Sequence, residues 1–136
     1  MLTTAGLADV SLYSYSQKIR DSLSYIRYEI DASNFRDPMN QKVFSPTIRD
    51  GRHPDVQKWI QDDKRVAHAI QEAQLLAYSH LRVRKDAFLS IGVMDIHGIW
   101  TAPAVMELIA KVLDKEGYKV FTWHRTLMPS NTTVKP

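Results

Sequence analysis

The sequence predicts an α/β fold in a single small domain, with a mostly parallel sheet, a C-terminal βαβ unit and helices packed on the sheet. Three segments support this prediction. The apolar run at 88–94 is typical of a buried strand. From Pro103 to Gly117, apolar residues recur at helical spacing between a proline and a glycine that mark the two ends of a helix. Residues 119–124 resume an extended pattern, so we expect two parallel, neighbouring strands joined by that helix.

The upstream segments predict two more strands and two more helices. Residues 10–15 are expected to form the first strand, and the strict alternation of "YIRYEI" predicts a second strand at 25–30. Residues 32–53 follow no period and predict a long loop. A short helix should begin at Pro54, and the apolar stripe after Asp63 predicts a long helix that covers the sheet.

The composition is that of an ordinary globular domain. The chain has 136 residues, 44% hydrophobic and 24% charged, and we expect a domain at 1–128 and a flexible tail at 129–136. The absence of cysteine excludes disulfides, thiolate metal sites and cysteine nucleophiles. Because no stretch approaches the roughly 20 apolar residues that span a bilayer, we expect a cytoplasmic protein without membrane contact, and we predict no cofactor and no bound metal.

The charge balance is slightly basic. The net charge is +3 and the isoelectric point is near 9.2. Arg82, Arg84 and Lys85 form the densest positive group, which is either the solvated end of a helix or a contact for an anionic polymer such as RNA.

The βαβ unit predicts where a ligand binds. Parallel strands place their carboxyl ends on one edge, and ligands of open α/β sheets bind at that edge. The loop around His97 and the pair His124 and Arg125 should therefore face one cleft. The candidate residues for binding a ligand or anion are Lys18, Arg36, His97, Thr101, His124 and Arg125, supported by Asp31, Asp95 and Gly98.

Each candidate also has a structural interpretation. His97 is a general base, a metal ligand, a phosphate donor or simply a solvated loop residue. Arg125 is either an anion ligand or half of an ion pair. Lys18 and Arg36 are alternatively surface charges, and Asp31 either orients a cation or fixes the long loop. Trp100 and Trp123 either line a pocket or are buried in the core, and burial is the expectation. For His68 and His80 we expect a position at the surface or between helices.

The common catalytic and nucleotide-binding motifs are missing from the sequence. It contains no phosphate loop that ends in Gly-Lys-Ser/Thr, no G-x-G-x-x-G, no G-x-S-x-G and no H-E-x-x-H. The usual classes of nucleotide hydrolase are therefore excluded. The free amides that follow Thr101 at the predicted helix start could bind an anion, although Asp95 would repel it.

Several segments resemble the C-terminal domain of the RNase adaptor RapZ. The run "IGVMDIHGIWTAPAVMELIAKVLDKEGYKVFTWHRTL" is similar to the end of that domain. There a strand and a G-C-T-G-G-x-H-R-S loop precede a helix, an R-G-x-x-V turn and a strand that closes on R-H-R-x-L. The segments "YSYSQKIRDSL", "YEIDASNFRDP" and "IRDGRHPDVQKWI" follow the family's order. Their matched residues are Lys18, Asp31, Pro38, Gly51, Val56 and Trp59.

The resemblance covers roughly residues 9–128 and implies a function. It implies a domain that binds a phosphorylated amino sugar and structured small RNA and associates with itself. In the family this domain follows an N-terminal P-loop domain, so we expect a free-standing version of the second half. The family's cysteine and paired glycines are replaced by Val93, Met94, Asp95 and Ile96, which predicts weak phosphate binding.

Three classes of function follow. The first is a non-catalytic adaptor module directed at RNA or an RNase, and it is the class that the resemblance and the basic charge favour. The second is a sensor that holds a sugar phosphate or nucleotide with Arg125, Lys18 and the helix after Thr101. The third is an enzyme that uses Asp95 and two histidines, His97 and His124, with water or a metal. In each class we expect a homo-oligomer.

Overall fold

The computed structural model describes residues 8–36, 47–85 and 88–127. Within them, four parallel strands form one sheet in the order β2-β3-β1-β4. The predicted α/β class with a parallel sheet and packed helices is confirmed. The strands are β1 (Val10–Ser16), β2 (Tyr28–Asp31), β3 (Leu89–Asp95) and β4 (Val120–His124).

Helices connect these strands in the expected order. A 3₁₀ helix, Gln17–Ser22, follows β1 directly. Three α-helices follow within the described ranges: α1 (Pro54–Ile60), α2 (Lys64–Ala77) and α3 (Thr101–Lys115). A π-helix at Tyr78–Val83 extends α2.

The central strand of the sheet is β1, which pairs in parallel with both β3 and β4. Val10 lies opposite Leu89 on one side and Val120 on the other. The two strands of the βαβ unit are parallel as expected, but the prediction that they are neighbours is wrong. The reason is burial: β1 is buried along its whole length, whereas β4 is half-buried or exposed and therefore suits the edge.

The helix that lies against the sheet is α3, which contacts β1, β3 and β4. The long helix α2 packs on α3, so the expectation that α2 covers the sheet is corrected. Buried residues occur along α3 from Thr101 to Leu113 and are not confined to one stripe. A helix that is apolar on two sides fits between a sheet and a second helix. Fully buried side chains of this core include Leu12, Ile91 and Ile109.

The opposite face of the sheet has a smaller core. Tyr15, Leu23 and Met94 are buried there beneath the 3₁₀ helix and the turn that follows it. The Ser90 hydroxyl in β3 fixes this turn, because it donates to the Tyr25 carbonyl at 2.8 Å and accepts from the Arg27 amide at 2.9 Å. The strand predicted at 25–30 therefore begins only at Tyr28.

Asp63 caps the first turn of α2. Its carboxylate accepts hydrogen bonds from the amides of Arg65 at 2.9 Å and Arg36 at 2.7 Å, and it pairs with the Arg65 guanidinium at 2.9 Å. These bonds, led by those from the Arg65 side chain, lower the pKa of Asp63 to about 2. The ionised carboxylate thus joins the start of α2 to the loop after β2.

Replacing Asp63 with alanine should lower the free energy of unfolding by about 1 kcal/mol at neutral pH, as loss of a helix cap usually does. Because the folded-state pKa lies below the usual aspartate value, this contribution is complete above that value and is lost as the pH falls toward 2. Urea unfolding of both proteins between pH 6 and pH 3 measures the difference. A difference that stays constant across this range would contradict the assignment. Asp62→Ala, at a neighbouring position that is 84% exposed, is the control and should change stability by less than about 0.5 kcal/mol.

Some predictions lie outside the described residues. These are the tail at 129–136, Pro38 and the middle of the long loop. In the part of the chain that the structure describes, no helix combines the length and apolar character needed to cross a membrane.

Candidate functional site

The carboxyl ends of all four strands lie on one edge of the sheet because the strands are parallel. The last strand residues are Ser16, Asp31, Asp95 and His124. Asp31 fixes the turn after β2, since its carboxylate accepts from the amide and the hydroxyl of Ser33 at 2.9 and 2.6 Å. These bonds hold the pKa of Asp31 below its usual value. Asp31 was expected either to orient a cation or to fix the long loop, and the bonds to Ser33 are of the second kind.

Asp95 occupies the amides at the start of α3. Its buried carboxylate accepts a hydrogen bond from the Ala102 amide at 2.7 Å and another from the Gly98 amide. The N-terminus of a helix attracts anions, and here a side chain of the protein itself supplies the negative charge. Thr101 donates its hydroxyl to the Arg36 carbonyl at 3.2 Å. The groups predicted to bind a phosphate at this point are therefore bonded within the chain.

Gly98 allows this loop to lie against the end of β1. Its φ is +72°, and a Cβ atom there would come within 2.6 Å of the Ser16 nitrogen. The Ser16 amide donates to the Thr126 hydroxyl at 2.9 Å, so the segments after β3 and β4 meet at the end of β1.

His97 is exposed beside a small cavity. Ser33, Phe35, Trp100 and Thr101 contribute to the walls of this cavity, whose volume is about 90 Å³. Typical small-molecule sites begin near roughly 300 Å³. A sugar phosphate or nucleotide would not fit into it without movement of the loop.

His124 joins β1, β4 and α3 in one hydrogen-bonded chain. Its Nδ1 lies 2.6 Å from the Ser14 hydroxyl, and its Nε2 lies 2.6 Å from the Glu107 carboxylate. Serine, histidine and a carboxylate are the groups of a hydrolytic triad. However, Ser14 is fully buried in the central strand, so its hydroxyl cannot reach a substrate. The chain of bonds fixes the position of α3 on the sheet.

The ion pair of Arg52 and Asp50 lies near His124 and Glu107. Arg52 donates to both carboxylate oxygens of Asp50, at 3.0 and 2.8 Å. Burial acts to raise the pKa of Asp50, but the hydrogen bonds and charge of Arg52, together with the nearby His124, hold it below its usual value. The Arg52 guanidinium is thus already bound to a carboxylate.

Arg125 lies on the opposite face of the sheet from His124. Its guanidinium carbon is 4.3 Å from the centre of the Trp123 ring. Burial raises the pKa of Tyr25 on this face, and the nearby charge of Arg125 acts in the opposite direction. His124 instead contacts Glu107 on α3. The expectation that His124 and Arg125 face one cleft is therefore wrong, because consecutive residues of a strand point to opposite faces.

Arg125 has no acidic partner within the described ranges 8–36, 47–85 and 88–127. Its Nε atom is buried and makes no hydrogen bond with the described residues. Its backbone amide donates to the Ser14 carbonyl at 2.8 Å, which continues the pairing of β4 with β1. Arg125 was expected to be either an anion ligand or half of an ion pair, and the described residues show no such ion pair.

Each of the other predicted cations is either exposed or bonded to neighbouring groups. Arg36 stacks on the Trp59 ring at 4.0 Å. Arg82 donates to the Tyr118 hydroxyl and the Glu116 carbonyl, both at 3.1 Å, and so joins the π-helix to the end of α3. Arg84 lies 3.2 Å from the His80 ring, while Lys18 and Lys85 are exposed.

Two predictions about burial are wrong. Trp123 is 48% exposed because it lies near the end of the edge strand β4. His80, expected at the surface or between helices, is buried against β2, where its Nε2 lies 2.6 Å from the Tyr28 hydroxyl. Trp100 is half-buried and packs against the main core.

The residues of the predicted enzyme class do not form a common centre. Asp95 is bonded to amides, His97 is exposed and His124 is bonded to serine and glutamate. Among the residues that the structure describes, no three histidine, aspartate or glutamate side chains are grouped to hold a metal.

No local pattern in the sequence distinguishes four residues of this region, Ser14, Glu107, Asp50 and Arg52. The aromatic residues beside Arg125 do have a signal in the sequence, because Phe121, Trp123 and Arg125 alternate along an extended segment and so share a face.

The chain matches no protein-family model and no curated protein sequence.

Proposed function

We propose that this chain is a non-catalytic binding module directed at RNA, with Arg125 as a phosphate contact. The observation that supports it most is the state of Arg125, a cation with a buried Nε and no acidic partner among the described residues. An arginine in this state attracts an external anion, and its planar fork fits the oxygens of a phosphate. The net charge of +3 favours a polyanion as the partner.

The groups at the carboxyl edge support binding rather than chemistry. The Ser14 hydroxyl is buried, the Asp95 carboxylate accepts from two amides and the His124 ring contacts Ser14 and Glu107. None of these three groups is placed to act on a substrate without leaving its partners. The same bonding weakens the alternative of a small-molecule sensor, because the amides after Thr101 already have an acceptor.

The resemblance to the RapZ C-terminal domain points to the same partner. Its closing motif contains Arg125, the cation on which this proposal depends. In the basic group at the end of the π-helix, Arg82 contacts Tyr118 and Arg84 contacts His80, whereas Lys85 is exposed. Lys85 is therefore the member best placed for a second phosphate contact.

A structured RNA hairpin should bind the wild-type protein at low salt, and the logarithm of the affinity should fall linearly with the logarithm of the salt concentration. Arg125→Ala should reduce the steepness of that dependence by roughly 0.7 to 0.9, the contribution of one phosphate contact. A gel-shift or fluorescence-anisotropy titration at several salt concentrations measures both. The matched control is Lys115→Ala, which removes an exposed charge from the last turn of α3 and should leave the slope unchanged. No binding of the wild-type protein at low salt would contradict the proposed function.

A further inference from the structure

The sheet face beside Arg125 carries a group of aromatic rings. This aromatic face consists of Tyr13, Tyr25, Phe121 and Trp123 together with Arg125. Tyr13 lies at its centre, with its ring 4.9 Å from Tyr25, 6.3 Å from Phe121 and 6.4 Å from Trp123. Tyr13 is buried, whereas Tyr25 is 43% and Trp123 48% exposed. The rings form a continuous surface with its two outer members open to solvent.

The position of this surface follows from the fold. The 3₁₀ helix and its turn cover the sheet above Tyr15 and Met94, where the smaller core is buried. At the margin of that cover lies the edge strand β4, where Phe121 packs partly buried against the smaller core and Trp123 lies exposed on the same face, with Arg125 directly after the strand. Exposed aromatic rings on an edge strand contribute little to the core, and large exposed apolar groups that cluster mark interaction surfaces.

The charge on the aromatic face indicates what binds there. Arg125 lies 4.3 Å from the Trp123 ring and has no acidic partner in the described part of the chain, so the surface combines rings with an uncompensated positive charge. Stacking rings next to a cation are complementary to a base and its phosphate. A second copy of the chain docked on the same face by a two-fold axis would bring a second Arg125 to this surface, and like charges repel.

We propose that the aromatic face binds unpaired nucleobases of RNA, with Trp123 and Tyr25 stacking on bases and Arg125 contacting the adjoining phosphate. This inference rests on the proposed function, since it names the part of an RNA that the same arginine contacts. Paired bases are stacked on their neighbours and do not present free ring faces to a protein. The face therefore selects single-stranded segments over duplex of the same sequence.

The test uses a fluorescent single-stranded oligoribonucleotide of about 12 bases, a length within the range that single-strand-binding surfaces contact. Trp123→Ala should weaken binding about 5- to 150-fold, the loss that accompanies removal of one stacking ring. Trp123→Phe keeps a ring and should retain most of the affinity. Because Trp123 is half exposed, both variants should keep the thermal unfolding midpoint of the wild type.

The matched control is Tyr78→Ala, which removes an aromatic residue that is 58% exposed on the π-helix and should leave the affinity unchanged. Annealing the oligonucleotide to its complement should weaken binding and abolish the difference between wild type and Trp123→Ala. If Trp123→Ala binds the single strand as well as wild type while Arg125→Ala does not, this inference fails and the proposed function stands. If the wild type binds no RNA, both fail. If Trp123→Ala instead converts a dimer into a monomer in light scattering without affecting RNA affinity, the face is an interface between copies and the inference is overturned.

Discussion

Replacing Asp95 with alanine is expected to lower the free energy of unfolding by about 2 to 6 kcal/mol. The substitution leaves the amides of Gly98 and Ala102 without their acceptor, and an unsatisfied buried amide costs about 1 to 3 kcal/mol. The start of α3 also loses the negative charge that balances its dipole. Chemical denaturation followed by circular dichroism measures the change.

Asp95→Asn is the matched control because it keeps one acceptor oxygen and nearly the same volume. Its loss should be about half that of the alanine variant. Phosphate or sulfate should raise the melting temperature of Asp95→Ala more than that of the wild type, since an added anion can then reach the helix amides. An alanine variant as stable as the wild type would show that the carboxylate does not satisfy these amides.

Replacing Gly51 with valine is expected to cost about 1 to 3 kcal/mol, as overpacking of a close contact does. A Cβ atom at this position would meet the Trp100 carbonyl and would lie 2.7 Å from the Ala104 nitrogen. Both are backbone atoms at the start of α3, so they cannot turn away as a flexible side chain can. The loop must withdraw from α3, and it carries the neighbouring pair of Asp50 and Arg52 with it.

Gly117→Ala separates this steric effect from the conformational preference of glycine. Gly117 has a φ of +94° and nothing lies within 4 Å of its added Cβ, so alanine there should cost only the strain of a left-handed backbone, about 1 to 2 kcal/mol. A further distinction is that Gly51→Val should alter the environment of the His124 ring in an NMR spectrum, whereas Gly117→Ala should not. A Gly51→Val protein with wild-type stability and an unchanged His124 signal would contradict the contact with α3.

The sequence predicts the βαβ unit well because its signals are local. Apolar spacing, Pro103 and Gly117 mark a helix that the structure places at Thr101–Lys115, and the strands on either side fall within one residue of their expected starts. The insertion of β1 between them has no such signal. The order of the strands depends on which of them are buried on both faces. Burial of both faces in turn depends on packing between segments that are distant in the sequence.

The candidate site was less predictable from the sequence than the βαβ unit, because the roles of its residues also depend on contacts between distant segments. The sequence predicts that Asp95 repels an anion, whereas its carboxylate takes the anion's place at the start of α3. Whether a carboxylate next to a helix start repels a ligand or caps the helix depends on the path of the loop around Gly98. Trp123 was expected in the core because large aromatic residues usually are buried, and its exposure follows from the edge position of β4.

The central claim is that the chain binds RNA on the aromatic face, and an NMR titration of the wild-type protein with the single-stranded RNA tests it most directly. The chain has three tryptophans, and each reports a different region: Trp59 on α1, Trp100 beside the carboxyl-edge cavity and Trp123 on the aromatic face. The indole N–H signal of Trp123 is predicted to shift with RNA concentration, while those of Trp59 and Trp100 stay in place. A shift of Trp100 with Trp123 unchanged, or no shift of any of the three at low salt, would contradict the account.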